Sequence, residues 1–320
     1  MKMRRRDALM ITPGALFLVF PPIAVFAAGD ILQLWVGWDN PIPAPALPDT
    51  DDWLRAEAAG RLIMMAAFMA AVAVGLTAII MWAGELFRLF GTRARRRLLA
   101  ASAAGLWVLI LWVAAMEPRL PDIMDYPGEK FVASALEQAE KGLATRLSTI
   151  NMIVRVIFVL GGLGAIVAAI SCLADPVRSR PPWARQALRR LQRRRLRRYL
   201  NLAAAIMTTG LLFMVAWMRW PAFVYGGAPH AAYVAHVNAL ALYFGVYYSA
   251  VIASYYIPIV VILRNREARE LLGRDVAPTD VGLADPGSMD IAGRGLALLV
   301  PAVAGIAPSL FELFRGGVGG

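Results

Sequence analysis

The sequence predicts an all-α, polytopic α-helical membrane protein: six transmembrane helices plus a C-terminal half-span, re-entrant or interfacial helix. Three observations carry that expectation. Hydrophobic residues make up 59% of the 320 and charged residues 17%, against about 45–50% and about 25% in soluble domains. The apolar residues gather in runs of about 20, enough to cross a hydrocarbon core of about 30 Å as helix. Arginines gather in alternate connecting segments, the bias that orients helices in a bilayer. Residues 1–272 are expected to form one transmembrane domain, and 273–320 a polar loop and the C-terminal segment.

The chain opens on a basic stretch, Met1 to Arg6, followed by an apolar run at 8–28. The pair has the form of a signal peptide. The run is nevertheless about 31 Å long as helix, so an uncleaved first span is expected. Pro13, Pro21 and Pro22 should kink it or break it near its outer end. An exterior loop at 29–60 carries Asp30, Glu57 and an acidic cluster, Asp49, Asp51 and Asp52. The cluster lacks the glycine and terminal glutamate of a calcium loop and reads as the charged start of a helix.

The second span is expected at 62–83, with Glu85 paired to Arg88 one turn on. A basic turn, Arg93 to Arg97, leads into the third span at 98–116. Residues 129–149 have apolar positions at helical spacing and should run unbroken into the fourth span, 150–174. That span contains Arg155, expected either to snorkel or pair, or to line a pore. Gly161, Gly164 and Ala165 make its next turns a close-packing face.

Ten arginines lie between Arg178 and Arg198. Leu188, Leu191, Leu196 and Tyr199 gather loosely on one side of them. This amphipathic stretch is expected to lie along the membrane surface and then turn into the fifth span at 200–217. The sixth span, 236–263, is rich in tyrosine and has a small-residue face at Gly245 and Ser249. The apolar stretch at 295–311 is short and broken by Pro301, Gly305 and Pro308, so a re-entrant or interfacial placement is expected.

With the amino terminus inside, every basic cluster falls on the interior side. The expected location is therefore a bacterial-type inner (plasma) membrane, multi-pass, with the N-terminus cytoplasmic. Anionic phospholipid is the expected partner of Arg189, Arg190, Arg193, Arg194, Arg195, Arg197 and Arg198. An acidic protein or ligand is the alternative. No aromatic platform or binding fold accompanies the arginines, so nucleic acid is not an expected partner. The small-residue faces point to a homo-oligomer or to another membrane protein.

One cysteine and two histidines, His230 and His236, leave no expected metal or cofactor site. No nucleophile elbow, zinc helix, phosphate loop or dinucleotide turn occurs. Acidic residues fall outside the expected spans, which argues against ion-coupled transport. The expected role is non-enzymatic: a channel-like pore, or a structural or accessory subunit of a membrane assembly. The alternatives are a sensor or regulator whose Arg-rich helix binds an anionic partner, and a membrane-embedded enzyme acting on lipids.

Overall fold

The computed structural model describes residues 9–36, 52–116, 142–176, 181–223, 227–272, 297 and 299–306. The acidic cluster at 49–51 and most of the amphipathic stretch at 129–149 lie outside them. Among the described residues, six helical stretches are long and apolar enough to cross a membrane, the first of them Pro13–Leu32, which takes in the turns before its main helix. We label them α1 (Phe20–Val36), α2 (Asp52–Leu89), α3 (Thr92–Met116), α4 (Leu143–Ser171), α5 (Pro182–Arg219) and α6 (Gly227–Leu272).

The first span begins later and is more broken than its composition implies. Leu9–Met10 (β1) pairs antiparallel with Asp175–Pro176 (β2). A single helical turn, Pro13–Leu16, follows with proline in its first turn, then a 3-10 turn at Phe17–Val19. Pro21 and Pro22 supply no N–H to the carbonyls four residues back, so the break falls just before them. It lies in the N-terminal half of the apolar run, not near the far end as expected. Helix α1 then runs on to Val36 and takes Asp30 with it.

Helix α4 starts at Leu143, so the helix expected to run unbroken from 129 into the fourth span is interrupted at Gly142. Gly142 has φ of +83° and turns the chain immediately before Leu143. Only glycine adopts that conformation at little cost.

The Arg-rich stretch does not turn before the fifth apolar run but continues into it. Pro182–Arg219 is one helix of 38 residues, about 57 Å long. No glycine or interior proline interrupts it between Trp183 and Thr209, so nothing in the backbone forces a bend. Its arginine-bearing half lies beside the last turns of α6, where Arg193 meets Glu267.

Helix α5 is the centre of the bundle. It packs against α2, α4 and α6; α1 packs on α6, and α3 touches α4 and α1. Two-thirds of the apolar stretch of α5 is buried, against 11% of that of α3. Helix α3 is therefore peripheral, with Trp107 and Leu111 pointing outward. Trp217 and Trp220, both buried, close the far end of the α5 contact with α2.

Close helix approaches occur where side chains are smallest. A methyl group added at Gly161 would sit 3.8 Å from the Cα of Gly75, where α4 meets α2. One at Gly164 would touch the Trp82 ring at 3.6 Å. Ala165 is buried beside them. In α6, a methyl group at Gly245 would meet the Pro301 carbonyl oxygen at 2.5 Å. The backbone N–H of Ala302 donates to Ser249 Oγ at 3.2 Å. Gly305 lies against Ala241. Residues 299–306, which are helical, therefore run antiparallel to α6 along its middle turns. These small-residue faces are filled from within the chain, so they carry no argument for a second copy.

Candidate functional site

Among the described residues, the end of the bundle that carries β1 and β2 also gathers the arginines at the start of α3, in the first half of α5 and at the end of α6. Arg97 reaches from the start of α3 to the carbonyl of Ile11 at 3.2 Å. Arg95 donates to the carbonyls of Phe87 and Phe90, both at 3.1 Å, and caps the end of α2. Arginines of α5 and α6 reach the same end, as two carboxylates show.

Glu85, near the end of α2, is the first. Arg195 binds its Oε2 through Nε at 2.9 Å and Nη2 at 2.7 Å. Arg198 reaches Oε1 at 3.3 Å. The Tyr199 hydroxyl donates a short bond to Oε2. Arg195 is 7% exposed, with Nη2 also 3.4 Å from Ser171 Oγ. Its guanidinium lies 5.9 Å from the ring centres of both Phe90 and Tyr199. Removing so many charges from water is tolerable only where both partners are fully hydrogen-bonded, and here both carboxylate oxygens are.

Asp175 is the second. Arg189 binds its Oδ1 at 2.9 Å and Arg266 its Oδ2 at 2.8 Å. The same side chains finish α4. Arg266 donates to Leu173 O at 2.8 Å and Gln192 to Ala174 O at 2.6 Å, and Arg189 holds Gln192 Oε1 at 3.1 Å. Those carbonyls follow the last turn of α4 and have no helical donor. Arg193 pairs with Glu267 across α5 and α6. Cys172 is fully buried behind this layer.

The arginines expected as one lipid-facing group therefore divide. Arg189, Arg193, Arg195 and Arg198 bond carboxylates of the chain itself, and Arg195 lies inside the bundle. Arg190, Arg194 and Arg197 are exposed. Leu188, Leu196 and Tyr199 face inward, but Leu191 is 49% exposed and faces away. Glu85 pairs across the bundle with α5 and not with Arg88, the partner its spacing suggests. Arg88 is exposed and forms no ion pair among the described residues.

No family model matches the chain. Neither a curated protein nor a solved structure is significantly similar to it.

The opposite end holds acids that hydropathy alone places in a loop. Glu57 is 1% exposed, paired with Arg61 at 2.8 Å and bonded by the Trp220 indole N–H at 2.8 Å. Asp30 accepts from the Trp112 indole at 2.7 Å. Both lie in helices because α1 ends later and α2 begins earlier than hydropathy implies. Tyr243 and Tyr247 donate to the carbonyls of Gly29 and Phe26, at 2.8 and 2.9 Å. His230 Nδ1 lies 2.9 Å from the carbonyl of Ala222, while His236 sits further along α6. Arg155 is on the outward face of α4 with Met152, Ile153 and Val156, its Nε 3.2 Å from Asn151 Oδ1.

Two crevices lie between helices. One, at mid-bundle, is lined by Gly75, Phe158, Thr209 and Gly210 among others; the second lies beside Glu85, Ser171, Arg195 and Tyr199. Each has a free volume of about 10 Å³, room for about one water molecule. Among the described residues, no three His, Cys, Asp or Glu side chains gather as metal ligands. Among the described residues, the polar groups at both ends tie helices to one another.

Proposed function

We propose that the chain is a non-enzymatic integral membrane protein, a structural or accessory subunit of a membrane assembly. One observation carries this reading: the polar side chains between helices bond one another across helix boundaries, and the crevice beside Glu85 and Arg195 holds about one water. A catalytic or substrate-coupled site needs convergent polar groups around a usable cavity. A channel-like passage, under this reading, would have to form between chains.

The orientation that fits the charge pattern puts the amino terminus and the Glu85–Arg195 end on the cytoplasmic face of a bacterial-type inner membrane. The C-terminal segment is then inserted beside α6, entering from that face, and not laid on the interface. A topology reporter fused after Asp280 should read cytoplasmic, and a cysteine at Ala302 should resist aqueous maleimide from both sides. Labelling of that cysteine as fast as a loop position would count against insertion.

Purification from native membranes in mild detergent tests the subunit reading. One protein should accompany the chain reproducibly, and photo-crosslinkers at Trp107 and Leu111 on the uncovered face of α3 should join to it. Crosslinks to lipid alone, from a chain that purifies by itself, would refute the reading. A regulatory role is the second reading, favoured by the projection of α5 beyond its span with Arg190 and Arg194 outward.

A further inference from the structure

The outward arginines lie in a particular place. On α3, Arg96, Ala100, Ala103, Trp107 and Leu111 are all exposed. Their spacing puts them on one face of the helix. That face is therefore an apolar strip with an arginine at the basic end. On α6, Val246, Ala250, Ile257, Val261 and Arg264 repeat the arrangement. On α5, Arg190, Arg194, Arg197, Asn201 and Leu212 share the outward face, more thinly apolar below.

The ion pairs bring these strips to similar heights. Glu85 is bonded to Arg195, and only Phe90 and Gly91 separate the end of α2 from α3. Arg193 is bonded to Glu267, three residues from Arg264. Arg96, Arg194 and Arg264 thus lie within about two helical turns of one level. None of the three forms an ion pair with the described residues, whereas Arg193, Arg195 and Arg198 do.

We propose that Arg96, Arg194 and Arg264 form a belt that binds anionic phospholipids of the leaflet at the basic end. Acyl chains lie along the apolar strips of α3 and α6, where each phosphate meets the guanidinium at the head of its strip, Arg96 or Arg264, while Arg194, above the polar Asn201, offers phosphate its charge alone. Charge complementarity and the continuity of strip with arginine select this occupant. A soluble acidic protein would use the charges without the apolar strips beneath them. Arg190, one turn further out, adds long-range attraction to the same surface. The proposal rests on the membrane insertion proposed above but needs no protein partner.

The test uses the full chain reconstituted in phosphatidylcholine vesicles. Electron spin resonance compares the association of spin-labelled phosphatidylglycerol with that of spin-labelled phosphatidylcholine. The wild type should prefer phosphatidylglycerol. Each of Arg96→Gln, Arg194→Gln and Arg264→Gln should lower the association of its site by about fivefold, and the triple variant should bring the preference close to one. Arg55→Gln, exposed at the opposite end, should leave it unchanged. Raising the salt to about 1 M should weaken the preference, while phosphate substituted for chloride at equal ionic strength should not.

An unchanged preference in a triple variant that melts at the wild-type temperature would overturn the belt. So would an equal loss in Arg55→Gln, or loss of a copurifying acidic protein with lipid preference intact. A chain that purifies without a partner yet shows the belt's preference would refute the subunit reading alone.

Discussion

Glu85→Gln is the most direct perturbation of the layer that joins α2 to α5. Glutamine keeps the shape of the side chain and removes its charge. Arg195, whose side chain is 8% exposed, is left without a counter-ion beside the Phe90 and Tyr199 rings. Removing one partner of a buried ion pair costs about 3–5 kcal/mol. Glu85 itself is 20% exposed, so water offsets part of the loss and the lower figure, about 3 kcal/mol, is expected. Arg198 bonds the same carboxylate, but its side chain is 60% exposed. Arg198→Gln should therefore cost no more than about 1 kcal/mol. The assay is unfolding of detergent-solubilised protein followed by circular dichroism, with an expected fall in midpoint of about 4–5 °C for Glu85→Gln, from an unfolding entropy of about 2.1 cal/mol/K per residue. Replacing both partners, Glu85→Leu with Arg195→Met, should recover most of it, because no buried charge is then left alone. Equal, small effects from Glu85→Gln and Arg198→Gln would refute this reasoning, since the difference in burial is its whole basis.

Other outcomes follow from packing. Gly245→Leu should displace residues 299–306 from α6, since the added side chain meets the Pro301 carbonyl; a cysteine at Ala302 should then label at least several-fold faster, and an unchanged rate would count against the contact. Cys172 is 0% exposed, so maleimide should modify it only as the protein unfolds, and the labelling and melting curves should coincide. Early labelling in the native protein would show that the layer opens locally. Gly142→Ala places a β-carbon on a residue with φ of +83° and should destabilise the start of α4 by about 1 kcal/mol; a melting point equal to or above that of the wild type would contradict the assigned turn.

The six helices are legible in the chain because hydrophobic run length is a local property. The second, third, fifth and sixth expected spans each fall within one helix; the fourth, 150–174, runs three residues past the helix end at Ser171, and the first divides among β1, the broken turns and α1. Basic clusters at alternate turns are equally legible, and the fold gathers them at one end through contacts such as Arg97 to Ile11 and Arg266 to Leu173. Helix ends are less so. Hydropathy puts Asp30 and Glu57 in a loop because it falls at a charge whether or not the helix ends there. Gly142 resembles any other position of a helical pattern, since one glycine does not reveal whether its φ is positive.

The pairing of the arginines cannot be read from the chain. Between Arg189 and Arg198 arginines point to nearly every side of the helix, so the pattern does not specify which face turns inward. That rotation follows from Leu196 and Tyr199 packing against partners from distant parts of the chain and from Glu85, 110 residues before Arg195. The run of charge and apolarity along the chain determined how many helices form and which ends lie together. Only the tertiary structure decided that Arg195 locks the bundle while Arg194, its neighbour, faces outward. The physical reason is that successive helical residues are about 100° apart, and only packing across the bundle selects the direction of the first.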